Sequence, residues 1–599
     1  MEENNKGWRQ FQRVKLDRKQ LARRVKKAES ASTRHAHRFV IRRMGNVKLV
    51  RREITIWLLI VGAIVAGLGI QLIWGQMNYM KAAPSRGGSY VEAALGPIDT
   101  LNPLYASSSA ESSAGRLMFS SLYNYDATAS LHQDIATKMD VTESGRIYTV
   151  TLRDDALWHD GKRLTARDVV FTVNLMKNPS ARSPLRINWL DVSVKEVAAN
   201  KVEFTLPAIY AAFPYALTFP ILPEHLLATV NPATMRENTF SQSPVGSGPF
   251  KFELLQQVDP IKKVKAVHLV ANSDYYRGKP KLDRFELQAY QSEESIVAAL
   301  RSGVVSGAVD VSTKASESVN SRRYASVPQS LSSGVFVMFN TQNPLLNDVK
   351  LRKALQVGTD TEAVRKMIGH GTRKLELPFI GSQVGQQKDL PVAPVYSETQ
   401  ANQLLDDAGW KHVDAGRVKD GKKLEITITT TKNKEYQTIV DNLKKQWEKI
   451  GVSVKTKTID ISAENSNFVQ DTLQGRNFDV LLYELSIGAD PDVYAYWHSS
   501  QLGQTGYNFT NYVNKTADVA LASARSRIEP ELRNAKYRQF AKLWLDDAPA
   551  IALYQPVSEY IYGKNTTTVG EGSSVVTGAD RYANILDWSV NTDLVYKTP

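Results

Sequence analysis

The hydrophobic pattern changes character along the chain. Ile54 to Trp74 (ITIWLLIVGAIVAGLGIQLIW) runs without a charged residue, and as a helix at ~1.5 Å per residue it covers ~30 Å, the depth of a bilayer's hydrocarbon core. Beyond it the apolar positions fall into short alternations and helical faces. Ile147 to Leu152 alternates as a strand, the Asp160-Gly161 pair predicts a turn, and Thr165 with Asp168 three residues on predicts the start of a helix, with Pro179 closing that region. Ser397 and Gln400 have the spacing of a capping box before the single apolar face Ala401, Leu404, Leu405 and Ala408, and Gly409 follows as the left-handed C-terminal residue. Leu424 to Thr430 alternates again. A helix with Ile439, Leu443, Trp447 and Ile450 on one side comes next, ended by Gly451 before the strand Val452 to Thr458. This is a βαβ crossover, the unit of a partly parallel sheet. From Ser89 to Pro599 strands and helices alternate without a short repeat, which predicts a mixed α/β body.

Charge settles the side of the membrane. The chain carries a net +14, and residues 1–53 hold 17 Lys or Arg against 5 Asp or Glu, so a basic tail accounts for +12 and the rest is close to neutral. That distribution gives no indication of a groove-binding basic face on the body, and no nucleic-acid partner is expected. Only Lys81 and Arg86 follow the apolar run closely, so the positive-inside rule predicts residues 1–53 as a cytoplasmic tail, 54–74 as a single transmembrane anchor and everything after on the outer face. A cleavable signal peptide would have a shorter apolar region and small residues at both key positions, whereas Ala83 would need Lys81 as its partner. In the tail, Phe11, Val14, Leu21 and Val25 recur near helical spacing, which suits equally a helix on an anionic inner leaflet and a solvated basic arm. Residues 75–87, with Pro84 and Gly87, predict a short flexible linker. The absence of cysteine excludes disulfides, thiolate metal sites and a lipid on an N-terminal Cys.

Sequence signatures of catalysis fail one by one. Gly416 to Lys422 (GRVKDGK) has phosphate-loop spacing, but Lys423 stands where a Ser or Thr must ligate magnesium, and Asp420-Gly421 before a strand predicts a hairpin turn. Trp158, His159 and Asp160 form a polar triplet on a turn with no serine elbow or metal-spaced partner, and neither HExxH nor GxSxG occurs. The chain is therefore expected not to be an enzyme, and no cofactor or metal site is expected.

Several segments carry a resemblance along nearly the whole body. GGSYVEAALGPIDTLNPLYA (Gly87–Ala106) ends in an LNP loop, and LRDDALWHDGKRLTARDVVFTV (Leu152–Val173) is similar to a signature of the form LR-x-x-x-x-[WF]-HDG-x-x-[LF]-TA-x-DV. SPVGSGPFKF (Ser243–Phe252), NSDYYRGKPKLDRFEL (Asn272–Leu287) and VFVMFNTQNPLLNDVKLRKALQVGTD (Val335–Asp360) follow in matching order. The chain thus resembles the dipeptide and oligopeptide branch of the extracellular solute-binding proteins, family 5. The resemblance implies a two-lobed, periplasmic-binding-protein-like α/β fold of type II. Its first lobe would occupy 88–330 with an inserted subdomain near 120–243, its second lobe 331–555, and a segment 556–599 would return to the first.

The resemblance further implies capture of a peptide or similar small polar solute between closing lobes, and its delivery to an ABC permease driven by separate ATPase subunits. By family position the ligand-binding residues would be Ser107, Ser108 and Ser109 after the LNP loop, Ser333 and Gly334 entering the second lobe, and Tyr483, Glu484, Ser486, Asp490 and Asp492. One departure stands out. Peptide binders of the family place an aspartate four residues before the proline of a DP or EP pair, to hold the ligand's amino group, and here Ile487 occupies that place before Pro491. Asp490-Pro491 also reads as a turn. The rival function is a membrane-anchored peptide sensor that signals through its tail.

Overall fold

The computed structural model describes residues 51–596, apart from 370–371, 415, 462, 464–465 and 571–573. The basic tail, including Phe11 to Val25, therefore lies outside the described residues. Arg51–Tyr79 forms one helix whose stretch Arg51–Trp74 is long and apolar enough to cross a membrane, with mean hydropathy 2.5. Its large side chains are exposed, Leu59 at 68% and Trp57 at 66%, as a lipid-facing surface requires. The helix continues past Trp74 and Met80–Ser85 is a strand paired with Asn591–Tyr596, where the sequence predicted an irregular linker. The first proline after the apolar run is Pro84, so nothing in the intervening backbone stops the helix earlier.

The body, Pro84–Thr592, is a separate compact unit. Its frame is a 13-stranded mixed sheet. On one side run Ser453–Ile459, Glu425–Thr431, Val480–Ser486 and Ser333–Phe339; on the other run Gly307–Val311, Ser89–Leu95, Arg284–Tyr290, Val264–Ala271 and Phe250–Asp259. The long strand Ala550–Gly563 joins them, pairing with Ser333–Phe339 through Ala550 to Tyr554 and with Tyr324–Leu331 through Val557 to Gly563. The chain thus crosses between the two halves at Leu331–Ser333 and again at Gln555–Pro556. Each half has its own core. Val335, Val337 and Phe339 pack on one side of the second-lobe sheet and Phe336 and Met338 on the other, so this strand is buried on both faces and reads as an unbroken apolar run. A separate four-stranded sheet within Ala136–Thr205 belongs to the first lobe.

The predicted local units are present. Glu425–Thr431 and Ser453–Ile459 pair in parallel across the helix Lys434–Lys449. Lys419 pairs with Lys422 around a turn in which Asp420 and Gly421 have φ of 52° and 73°, the left-handed geometry of a tight hairpin. Thr165 and Asp168 complete a capping box. At Ser397 the side chain accepts from Gln400 N–H, but the return bond is absent because Ser397 N–H is given to Val357 O.

The polar triplet Trp158–His159–Asp160 is structural. His159 Nδ1 accepts from Gly246 N–H at 3.2 Å, which leaves the proton on Nε2 to be donated to Gly248 O at 3.0 Å. The N–H groups of Ser247 and Gly248 both go to Met118 O, and a Cβ on Gly246 would lie 1.9 Å from that oxygen. The HDG turn, the GSG turn and the end of the helix Ser109–Met118 are therefore one latch that only a neutral His159 and bare glycines can close. Desolvation pushes the His159 pKa down to about 4, so the unfolded chain binds the extra proton first as pH falls below 6.5. Stability should thus drop by about 2–3 kcal/mol between pH 6.5 and pH 4 on account of this one ring. Urea unfolding across that range should show His159→Gln to lack this part of the slope; an unchanged slope would remove His159 as its source.

Candidate ligand-binding site

Between the lobes lies a cavity of about 820 Å³. Its first-lobe wall is Asn188 to Val192 and the segment Leu206 to Ala216; its second-lobe wall is Ile487 to Asp492, Tyr494 and the end of the helix Lys515–Ser526. Tyr125, Trp189, Tyr210, Tyr215 and Tyr494 make it aromatic, a lining that gives contact area to varied side chains while keeping hydroxyl donors at hand. Burial pushes the Tyr125, Tyr210 and Tyr215 phenols up, so they stay protonated.

The acids of the second-lobe wall are already paired. Asp490 takes Arg533 through two bonds of 2.5 Å, and its Oδ1 also accepts the Asp492 N–H, a local turn of the kind the Asp-Pro pair suggested. Asp492 faces Arg525 at 3.3 Å. Burial pushes the Asp492 carboxyl up, with Arg525 pulling against it. Arg525 in turn lies between two rings, 4.6 Å from the centroids of both Tyr210 and Tyr494, and its carbonyl accepts the Ala211 N–H at 2.9 Å. The two lobes are in direct contact here.

Of the residues predicted from family position, Asp490 and Asp492 stand on the cavity wall, together with Ile487. The others lie elsewhere. Ser108 is the N-cap of the helix Ser109–Met118, and the buried Glu111 carboxylate gathers the N–H groups of Asp99, Thr100, Ser107 and Ser108, with the Ser107 hydroxyl. The serine run, Ser109 included as first helical residue, is thus a helix start whose S-x-x-E spacing was itself readable in the sequence. Ser333 donates to Glu484 at 2.5 Å, and Glu484 also accepts from the Tyr436 hydroxyl. Tyr483 points to the opposite sheet face, against Phe468 and Phe509 at 5.8 and 6.4 Å. A Cβ at Gly334 would strike Leu375 and Phe336, so this glycine serves packing. Ser486 is exposed, and its carbonyl accepts from Tyr496.

Sequence reading missed the first-lobe wall altogether. Its residues lie in an aromatic stretch, Ile209 to Phe219, with no strand or helix period to announce a face. A second chamber of about 460 Å³ adjoins the cavity, sharing Tyr125, Asn188, Trp189 and Ala216 in its wall and reaching into the first lobe toward Arg116, Thr577 and Asp580. Among the described residues, no three His, Asp or Glu side chains come together as metal ligands would.

Known proteins match both sequence and fold. The family model for bacterial extracellular solute-binding proteins, family 5 (middle region), matches residues 130–507. The oligopeptide-binding protein AppA of Bacillus subtilis is 30% identical over 517 residues, which cover 84% of this chain and 92% of that one. The structure of that protein with a nonapeptide superposes with a TM-score of 0.67 at 28% identity, covering 85% of this chain and 100% of the other. NikZ of Campylobacter jejuni, solved with Ni(L-His), gives a TM-score of 0.69 at 28% identity over 84% of this chain and 99% of its own. With its two lobes joined by crossing strands, an aromatic cavity between them and the family match running through both, the chain belongs to the bacterial extracellular solute-binding proteins, family 5.

Proposed function

We propose that this chain is the extracytoplasmic solute-binding subunit of an ABC importer, which captures a peptide between its lobes and delivers it to the permease. The observation that carries this reading is the inter-lobe cavity, about 820 Å³ in volume, whose walls come from both halves of a body between which the chain crosses at two segments. Such a joint lets the halves rotate about Leu331–Ser333 and Gln555–Pro556 and surround a ligand with aromatic faces and neutral donors. The oligopeptide-binding protein of Bacillus subtilis and a dipeptide-binding protein of Escherichia coli are among its relatives, and this favours transport over the sensor reading. The chain's part is binding, and the ATP-driven step belongs to other subunits. The helix Arg51–Trp74 holds the body at the outer face, with the basic tail inside, as the charge asymmetry about it requires.

One experiment tests both parts. Protease added to intact cells should shed the body as a fragment beginning after the span, and the shed fragment, once denatured, should release short peptides detectable by mass spectrometry. A body that stays protected would overturn the orientation. A shed body that releases no peptide, even after incubation with a peptide mixture, would overturn the capture.

A further inference from the structure

Arg116 stands in the last turn of the helix Ser109–Met118 and lines the 460 Å³ chamber. It differs from the buried arginines of the body. Arg352 is spent on the carbonyls of Leu346 and Asp547, Arg417 on Asp406 and the Trp410 carbonyl, Arg533 on Asp490 and Arg581 on Glu92. Among the described residues Arg116 makes no hydrogen bond and no ion pair, and its Nε is buried without a partner. Asp580 across the chamber feels its field, but the Asp580 Oδ2 is committed to the Thr577 N–H and hydroxyl at 2.7 and 3.0 Å. The negative end of the helix offers only a partial charge. Its Nε is shut off from water without an acceptor, a cost that a bound anion receiving its fork of donors would relieve.

We infer that Arg116 binds a carboxylate of the captured solute, so that a peptide enters the first lobe with its acid end in this chamber. The inference rests on the peptide-capture reading above. A carboxylate fits better than a phosphate. Among the described residues that line the chamber Arg116 is the only cation, beside neutral polar side chains and the acid of Asp580, so a second cation for a dianion is lacking. The planar fork of an arginine matches the two oxygens of a carboxylate. The remaining walls, Phe119, Leu185 and Trp189, exclude water and so strengthen that pair.

The test uses the full-length chain in detergent, exposed to two random tetrapeptide libraries without Asp or Glu, one of free acids and one of C-terminal amides. Retained peptides are counted by mass spectrometry. The chain should retain the free acids over the amides by about tenfold or more, the worth of one charged hydrogen-bonded pair. Arg116→Gln should retain both libraries equally. An acid preference that persists in Arg116→Gln, or its absence in the natural chain, would overturn the inference. Retention of neither library by the natural chain would overturn the capture reading, and this inference with it.

Discussion

Replacing Arg581 with methionine should destabilise the body by about 3–5 kcal/mol, the usual cost of leaving one member of a buried ion pair alone. Arg581 and Glu92 both have fully buried side chains, 489 positions apart in sequence. Arg581 Nε reaches Glu92 Oε1 at 3.2 Å, its Nη1 donates to Gly578 O at 2.5 Å, and its Nη2 reaches Ser113 Oγ at 2.8 Å as well as Glu92 itself. On the other side Tyr560 donates to Glu92 Oε2 at 2.8 Å, Tyr90 bonds Tyr560 at 2.9 Å, and Tyr582 also donates to Glu92. The network ties the first strand, the crossing strand and the final helical segment into one lobe. Methionine would fill much of the volume but leave the Glu92 carboxylate with hydroxyl donors alone. Adding Glu92→Gln should therefore restore part of the loss, since the orphaned charge goes with it. Urea unfolding of the chain trimmed to begin at Pro84 measures both variants. A loss for Arg581→Met below about 1 kcal/mol, in the range of an exposed pair, would mean that water reaches this network.

What the sequence disclosed was local. The βαβ unit at Glu425–Ile459 could be read because the apolar period changes from two to nearly four and back within one short stretch, and each piece buries the face that the period marks. The Asp420-Gly421 turn and the Thr165–Asp168 cap were legible for the same reason: donor and acceptor sit within a few residues of one another. The cavity was not legible. Tyr210 and Arg525 meet across more than three hundred positions, and Glu92 meets Arg581 across nearly five hundred, so no window along the chain contains both partners. Family position brought Asp490 and Asp492 to the wall, but it also pointed to Ser107–Ser109, where Glu111 already consumes the donors. A small hydroxyl residue looks the same in a string of letters whether it faces a ligand or caps a helix. Arg116 was invisible for a different reason. An arginine in the last turn of a helix is the commonplace choice against the helix dipole, and only the coordinates reveal that its Nε is buried without an acceptor.

Arg525→Ala should weaken capture of the peptides released from the shed body by roughly 2- to 30-fold, with only a modest change in the thermal midpoint of the empty protein. The size follows from the contacts. Arg525, itself of the second lobe, has its guanidinium held between Tyr210 of the first lobe and Tyr494 of the second, with Asp492 alongside. Of these, the contact that crosses between the lobes is the cation–π contact of Arg525 with Tyr210, which in a partly desolvated setting contributes about 0.5–2 kcal/mol. The Tyr210 contact exists only while the lobes meet, whereas Tyr494 and Asp492 belong to the same lobe as Arg525, so loss of the Tyr210 contact lowers the closed population and affinity should move further than stability. Burial also pushes the Asp492 carboxyl up against the pull of Arg525, and once that pull is removed Asp492 should protonate more readily. The deficit of the variant should accordingly grow smaller as pH falls, because a neutral Asp492 no longer carries an unpaired charge into the closed cleft. Arg525→Lys separates the two contributions: it keeps the charge for Asp492 but not the flat face between the rings, and should bind with intermediate affinity. Isothermal titration with those peptides, paired with small-angle scattering of the free and loaded forms, reads affinity and closure together. If Arg525→Ala binds as tightly as the natural chain and compacts to the same radius, the Tyr210–Arg525–Tyr494 contact is a passive touch of two surfaces and the energy of closure resides elsewhere in the cleft.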